Sequence, residues 1–166
     1  MRPCDRTPDR EDGRDPATRR RGIDNFAAFM RLLAPIEREG TSDVIRGGER
    51  VFAAIGCATC HVPAFETGPS SNPLFHRKRV DLFSDLLLHD VGTGDGIKQG
   101  AAASNEIRTP ALWGLRMRRA FRHDGAAGTI EDAIRRHGGE ALLAVRGFER
   151  LNDEERAALL AFLRSL

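Results

Sequence analysis

The stretch GERVFAAIGCATCHVPAF, residues 48–65, decides the reading of the chain, because it runs an amphipathic helix pattern directly into Cys57-Ala58-Thr59-Cys60-His61. Two cysteines spaced in this way can each bond one vinyl group of a porphyrin, while the next residue, His61, turns its imidazole onto the iron from the same side. The sequence therefore predicts one covalently attached haem c, anchored by Cys57 and Cys60 with His61 as proximal ligand. A structural zinc would need further ligands at knuckle-like spacing, and no second cysteine pair is present. A thioredoxin-like redox pair would follow a buried strand, whereas a glycine-terminated helix leads into this motif.

Working outward, Val44, Gly48, Val51, Phe52 and Ile55 share one stripe of a helix that begins after Ser42 and stops at Gly56. A final helix begins at Asn152, with Glu155 in the capping-box position and Leu159, Phe162, Leu163 and Leu166 on one face. Small residues Gly47 and Gly48, with Phe52 and Phe162, suit a crossing of these two helices, as a small cytochrome domain requires. Between them, residues 61–106 are rich in Gly, Pro, Ser and Asn. So long an irregular segment usually has a function, here the wrapping of a large cofactor. Residues 110–115 read as a short helix, and a further helix opens at the cap residue Thr129 and ends at Gly138 and Gly139. The expected fold class is all-α, a class I cytochrome c-like domain over residues 42–166 with a long haem-wrapping loop.

Residues 1–21 mix Arg, Asp, Glu and Pro with almost no large apolar side chain, so they are expected to be disordered. Residues 22–36 form a separate short helix, with Phe26, Phe29, Met30 and Leu33 at helical spacing before Pro35. A composition of 40% hydrophobic and 30% charged residues places the whole in the globular range. The net charge of +2 gives no reason to expect a nucleic-acid partner, and no apolar run approaches membrane-spanning length. Three cysteines are present, and Cys4 stands alone beside the pair in the motif, so no disulfide scaffold is expected.

The sixth position on the iron separates an electron carrier from a catalyst. Met117, His76, His89, His123 and His137 are the candidates. Helical phase favours His137, which lies on one face with Ile130, Ala133 and Ile134; the same placement also suits an ordinary half-buried histidine. Met117 stays open as an alternative, although Arg116, Arg118 and Arg119 around it resemble a solvated surface. Arg108 and Trp113 are weaker candidates for contact with the haem propionates.

FAAFMRLLAP, GERVFAAIGCATCHVPAF, DLLLHDVGTG, EIRTPALWGL, HDGAAGTIEDAIRRHGGEA and ERAALLAFLRSL together cover most of residues 24–166. In these stretches the chain resembles the C-terminal haem domain of the bacterial di-haem oxidoreductases, a peroxidase or thiol oxidoreductase family related to di-haem cytochrome c peroxidases and MauG-type enzymes. In the peroxidase relatives the axial ligand follows fourteen residues after the histidine of a His-Asp-Gly-like turn. The same step from His123 reaches His137, so the resemblance implies two histidines on the iron. His123 resembles the histidine near that haem. The family carries two haems and this chain one Cys-x-x-Cys-His, so residues 24–35 resemble the last helix of a missing N-terminal haem domain.

The resemblance thus implies an electron-relaying domain rather than a complete peroxidase, working with a redox partner protein or the missing haem domain. The rival readings are a self-sufficient haem peroxidase or thiol oxidoreductase and a zinc-binding interaction module. Because haem c is attached outside the cytoplasm, a periplasmic location is expected. The first residues lack an apolar export core, so the exported product is expected to start upstream of Met1.

Overall fold

The computed structural model describes residues 13–166, so Cys4 and residues 1–12 of the expected disordered tail lie outside the described residues. The chain divides into two units, one ending at Pro35 and one spanning Ile36–Leu166. In the first, residues 14–21 close a small turn, where the Asp15 carboxylate accepts from the Ala17 and Thr18 main-chain N–H groups. Helix α1, Gly22–Leu32, follows; Asp24 accepts from the main-chain N–H of Arg21 and pairs with its guanidinium at 3.1 Å.

The second unit begins its helical framework with α2, Asp43–Ala54, where the Ser42 hydroxyl accepts from the Ile45 N–H and supplies a partner for one of the free donors of the first turn. The helix ends because Gly56 adopts φ 92°, a left-handed conformation that residues with a Cβ rarely take. At the other end of the chain, α5 spans Asp153–Ser165 behind a reciprocal cap, with Asn152 accepting from Glu155 N–H and Glu155 accepting from Asn152 N–H. These two helices pack closely. A Cβ on Gly48 would fall on the Ala158 carbonyl and lie 2.8 Å from the Phe162 Cβ, so only hydrogen fits at the crossing.

Around that point Phe52, Phe83 and Phe162 form an edge-to-face cluster with ring centroids 5.3 to 6.2 Å apart. Phe148, Leu159 and Phe162 are fully buried. Each such side chain contributes on the order of 1.5–3 kcal/mol through removal of its apolar surface from water.

The all-α expectation is corrected by the structure, a mixed fold in which 38% of the described residues are helical and 10% lie in strands or isolated bridges. Among the described residues, two antiparallel two-stranded sheets are present, β1 (Phe65–Glu66) with β2 (Arg79–Val80) and β3 (Leu88–Asp90) with β4 (Glu106–Arg108). They arise because the long wrapping segment doubles back on itself, and its main-chain N–H and C=O groups find partners in each other. The helix expected at residues 110–115 is likewise reduced to a single turn, Leu115–Met117. Thr109 and Leu112 instead donate their N–H groups to the carbonyls of Leu87 and Leu82, and Gly114 at φ 62° breaks any helical run.

Helix α3 spans Ile130–Arg135 behind its Thr129 cap. Helix α4, Leu142–Glu149, was not expected from the sequence. It has no side-chain cap and follows directly on a tight turn at Gly139–Ala141. Its Val145 and Phe148 enter the core, and Gly147 comes so close to Ile55 that a Cβ would stand 2.9 Å from the Ile55 side chain.

The crossing makes a paired prediction. Gly48→Ala overpacks α2 against α5 and is expected to cost about 1–3 kcal/mol or more. Gly47→Ala, whose nearest new neighbour is the Arg50 guanidinium at 3.7 Å, is expected to be neutral or stabilising by up to ~1 kcal/mol through reduced backbone entropy. Urea denaturation of the two variants measures the difference, and equal midpoints would contradict the packing described.

Candidate functional site

The Cys57–Thr59 turn follows α2 without a break, and the His61 N–H donates to the Cys57 carbonyl at 3.0 Å. The two cysteines and His61 are therefore presented by one compact turn on the end of a core helix. Cys57 and Cys60 are free thiols. Burial pushes the Cys57 thiol up to about 11, and burial together with the charges of Asp85 and Glu140 raises Cys60. Both stay protonated at neutral pH, the opposite of what thiolate-based redox catalysis requires.

The His61 side chain is fixed by its Nδ1–H, which donates to the Phe83 carbonyl at 2.9 Å and leaves Nε2 as the available lone pair. Burial lowers its pKa, against the opposing effect of the Phe83 bond, and the proximity of His137 lowers it further. The neutral, ligand-ready imidazole is thereby favoured. His137 stands one turn beyond α3 with its N–H on the Ile134 carbonyl, and its own Nδ1 donates to the Ala133 carbonyl at 2.7 Å. Both histidines thus have the arrangement typical of ligating imidazoles, in which one ring nitrogen is tied to a carbonyl and the other is left for a metal.

The remaining candidates are engaged or placed elsewhere. Met117 is 70% exposed on its turn. His76 is exposed, with Nδ1 against the Ser70 main chain. His123 is exposed in the turn that follows Phe121, and Arg108 is exposed on β4. Trp113 is held by its indole N–H on the Asp81 carbonyl at 2.8 Å.

Sequence reasoning placed His89 only among the possible ligands and missed its network. Its Nε2 is 2.7 Å from Asp85 and its Nδ1 2.9 Å from Glu140, whose other oxygen accepts from the Asp90 N–H. Among the described residues, Cys60, Asp85 and His89 also form a group whose potential metal-binding atoms all lie within 4.8 Å of one another. The HDVG and HGGE stretches meet here: Gly138 donates to the Val91 carbonyl at 2.8 Å, and a Cβ on Gly139 would strike the Asp90 carbonyl. Paired glycines after a histidine were the available signal, since close main-chain approach needs them.

The donor set fits a haem: two thiols on one turn, and two half-buried imidazoles that each have one ring nitrogen free. The comparisons agree. A family model described as "Di-haem oxidoreductase, putative peroxidase" matches residues 6–166. The chain belongs to this di-haem oxidoreductase family. Haem-based redox function follows from that membership. The chain is also similar to the methylamine utilization protein MauG of Methylorubrum extorquens, at 29% identity over 85% of this chain and 42% of the relative, so it spans less than half of that protein. In fold it is similar to a chain of hydrazine synthase from Kuenenia stuttgartiensis, with a TM-score of 0.57 and 22% identity over 83% of this chain and 52% of that one.

The Asp85, His89 and Glu140 network defines a pH window. Bonds to Glu140 and Asp85 raise His89, so its contribution to stability is complete below the unfolded histidine value and is lost as pH rises through the folded one. Burial pushes Asp85 upward, but bonds from His89, Leu87 and Thr109 outweigh it; Glu140 is lowered by His89 and Asp90. The carboxylate contributions are complete above the unfolded values and are lost as pH falls through the folded ones. The stability difference between the wild type and His89→Gln should therefore peak between the ordinary carboxylate and histidine ranges. Urea midpoints across pH check this, and a flat difference would contradict it.

Proposed function

We propose that the chain is a c-type cytochrome domain that binds one haem covalently through Cys57 and Cys60 and relays single electrons. The observation that carries the reading is the matched pair of imidazoles, His61 on Phe83 and His137 on Ala133, each with Nδ1 tied to a main-chain carbonyl. His61 would hold the iron from the proximal side and His137 from the distal side. The bound haem supplies a one-electron iron couple. Around it the chain's residues hold both imidazoles in fixed tautomers, and the Phe52, Phe83 and Phe162 cluster excludes water from the side of the core. With His61 and His137 both held as ligands for the iron, the site would favour electron transfer over reaction with a small oxidant.

The electron partner in this reading is another redox protein or a second haem domain, since this chain has a single Cys-x-x-Cys-His and its family is a di-haem one. The proposed location is the periplasm, where haem c is attached. No helix among the described residues is long and apolar enough to cross a membrane.

One observation favours a second reading, a zinc ion held by Cys60, Asp85 and His89. It accounts for neither His137 nor Cys57. A visible spectrum separates the readings, because zinc gives no Soret band.

Produced with haem c maturation machinery, the chain is expected to keep its haem through denaturing electrophoresis, and Cys57→Ala with Cys60→Ala is expected to abolish the haem stain. The ferric spectrum should be low-spin, become high-spin in His137→Ala and stay unchanged in Met117→Ala. Covalent haem in the double cysteine variant, or a low-spin spectrum lost in Met117→Ala but kept in His137→Ala, would overturn the assignment.

A further inference from the structure

A short strap, residues 83–92, joins the two ligand-bearing segments. At its start it is fixed to the proximal side: the Phe83 carbonyl accepts from His61, Ser84 N–H donates to the Val62 carbonyl at 2.9 Å, and Asp85 N–H donates to the Cys60 carbonyl at 2.8 Å. At its end it is fixed to the distal side, through Gly138 N–H on the Val91 carbonyl and the Asp90 N–H on Glu140. Phe83 and Leu86 hold φ of 52° and 62°, left-handed values that are costly away from glycine and persist only where the surroundings impose them.

His89 stands between the two clamps. Its ring contacts Asp85, which belongs to the proximal clamp, and Glu140, three residues past His137 in the distal one. With its side chain 18% exposed and that of Asp85 10% exposed, the contact to Asp85 is shielded from bulk water, while Glu140 reaches the ring from the exposed side. Only the imidazolium has an N–H for each carboxylate; the neutral ring must leave one of them facing a lone pair.

We propose that His89 is a positioning residue, whose bridge from Asp85 to Glu140 sets the separation between the segments carrying His61 and His137 and so keeps the distal imidazole on the iron. The inference rests on the haem reading above, and it adds a role for residues outside the ligand set. The charged and titratable groups around the ring are Asp85 on the strap, Glu140 on the turn after α3, and Cys60 and His61 on the haem turn. Next to these is Asp90, whose carboxylate accepts from Asn105 at 2.7 Å, and across the sheet Glu106 and Arg108 flank Ile107. With the bridge intact, an incoming ligand must break the network to displace His137. With the bridge open, the distal segment can move away on its own.

The test is azide binding to the ferric holoprotein, followed by the Soret band. His89→Gln, which is neutral and cannot donate to both carboxylates, should bind azide on the order of tenfold more tightly than the wild type, the effect of losing one charge-assisted bond. His89→Arg, a permanent cation with donors for both carboxylates, should restore weak binding. His89→Gln with unchanged azide affinity overturns the proposal, as does His89→Arg that binds azide as tightly as His89→Gln. A chain that holds no covalent haem, or one in which His137→Ala leaves azide affinity unchanged, overturns instead the haem and ligand reading on which the proposal stands.

Discussion

The close approach of α2 and α5 at Gly48 is the constraint on which the rest of the molecule depends. Because no Cβ fits between Gly48 and Ala158, the two helices meet at backbone distance, and Phe162 lies edge-on to Phe52 and Phe83. That packing fixes the direction in which α2 ends. Gly56 then turns the chain, and Cys57, Cys60 and His61 are presented from a rigid base rather than from a free loop. Phe83 links core and site directly, since its ring is in the cluster while its carbonyl holds His61.

From this base the wrapping segment behaves as a framework in its own right. Its strands are short, yet the second pair is tied to the site: β3 carries His89 and Asp90 against Glu140, and β4 supplies the partner that keeps β3 extended. The glycines at 92, 138 and 139 let the strap and the distal turn touch through their main chains. His137 is thus positioned from two directions, by α3 behind it and by the strap beside it.

What was legible in the sequence followed from local rules. Ser42, Thr129 and Asn152 mark helix starts because a side-chain oxygen there satisfies free N–H groups, and the structure has all three bonds. The motif at Cys57 and the glycine crossing were legible for similar reasons. The strands were not, because pairs two or three residues long show no periodicity and arise from the closure of a loop. Helix α4 was hidden by the absence of a cap, and the apparent helix at residues 110–115 yielded to bonds from Thr109 and Leu112 to a distant stretch of chain. The network around His89 joins residues some fifty positions apart, and no local pattern announces such a pairing.

Family membership and the two thiols on one turn support a haem protein, and the paired imidazoles carry the proposal that it relays single electrons. The central claim is that His61 and His137 share one iron. Near-infrared magnetic circular dichroism of the matured ferric protein tests it most directly, because the energy of the low-spin charge-transfer band reports the identity of both axial ligands. A bis-imidazole band is expected; a histidine–thioether band, or the bands of high-spin iron, would rule out the shared iron.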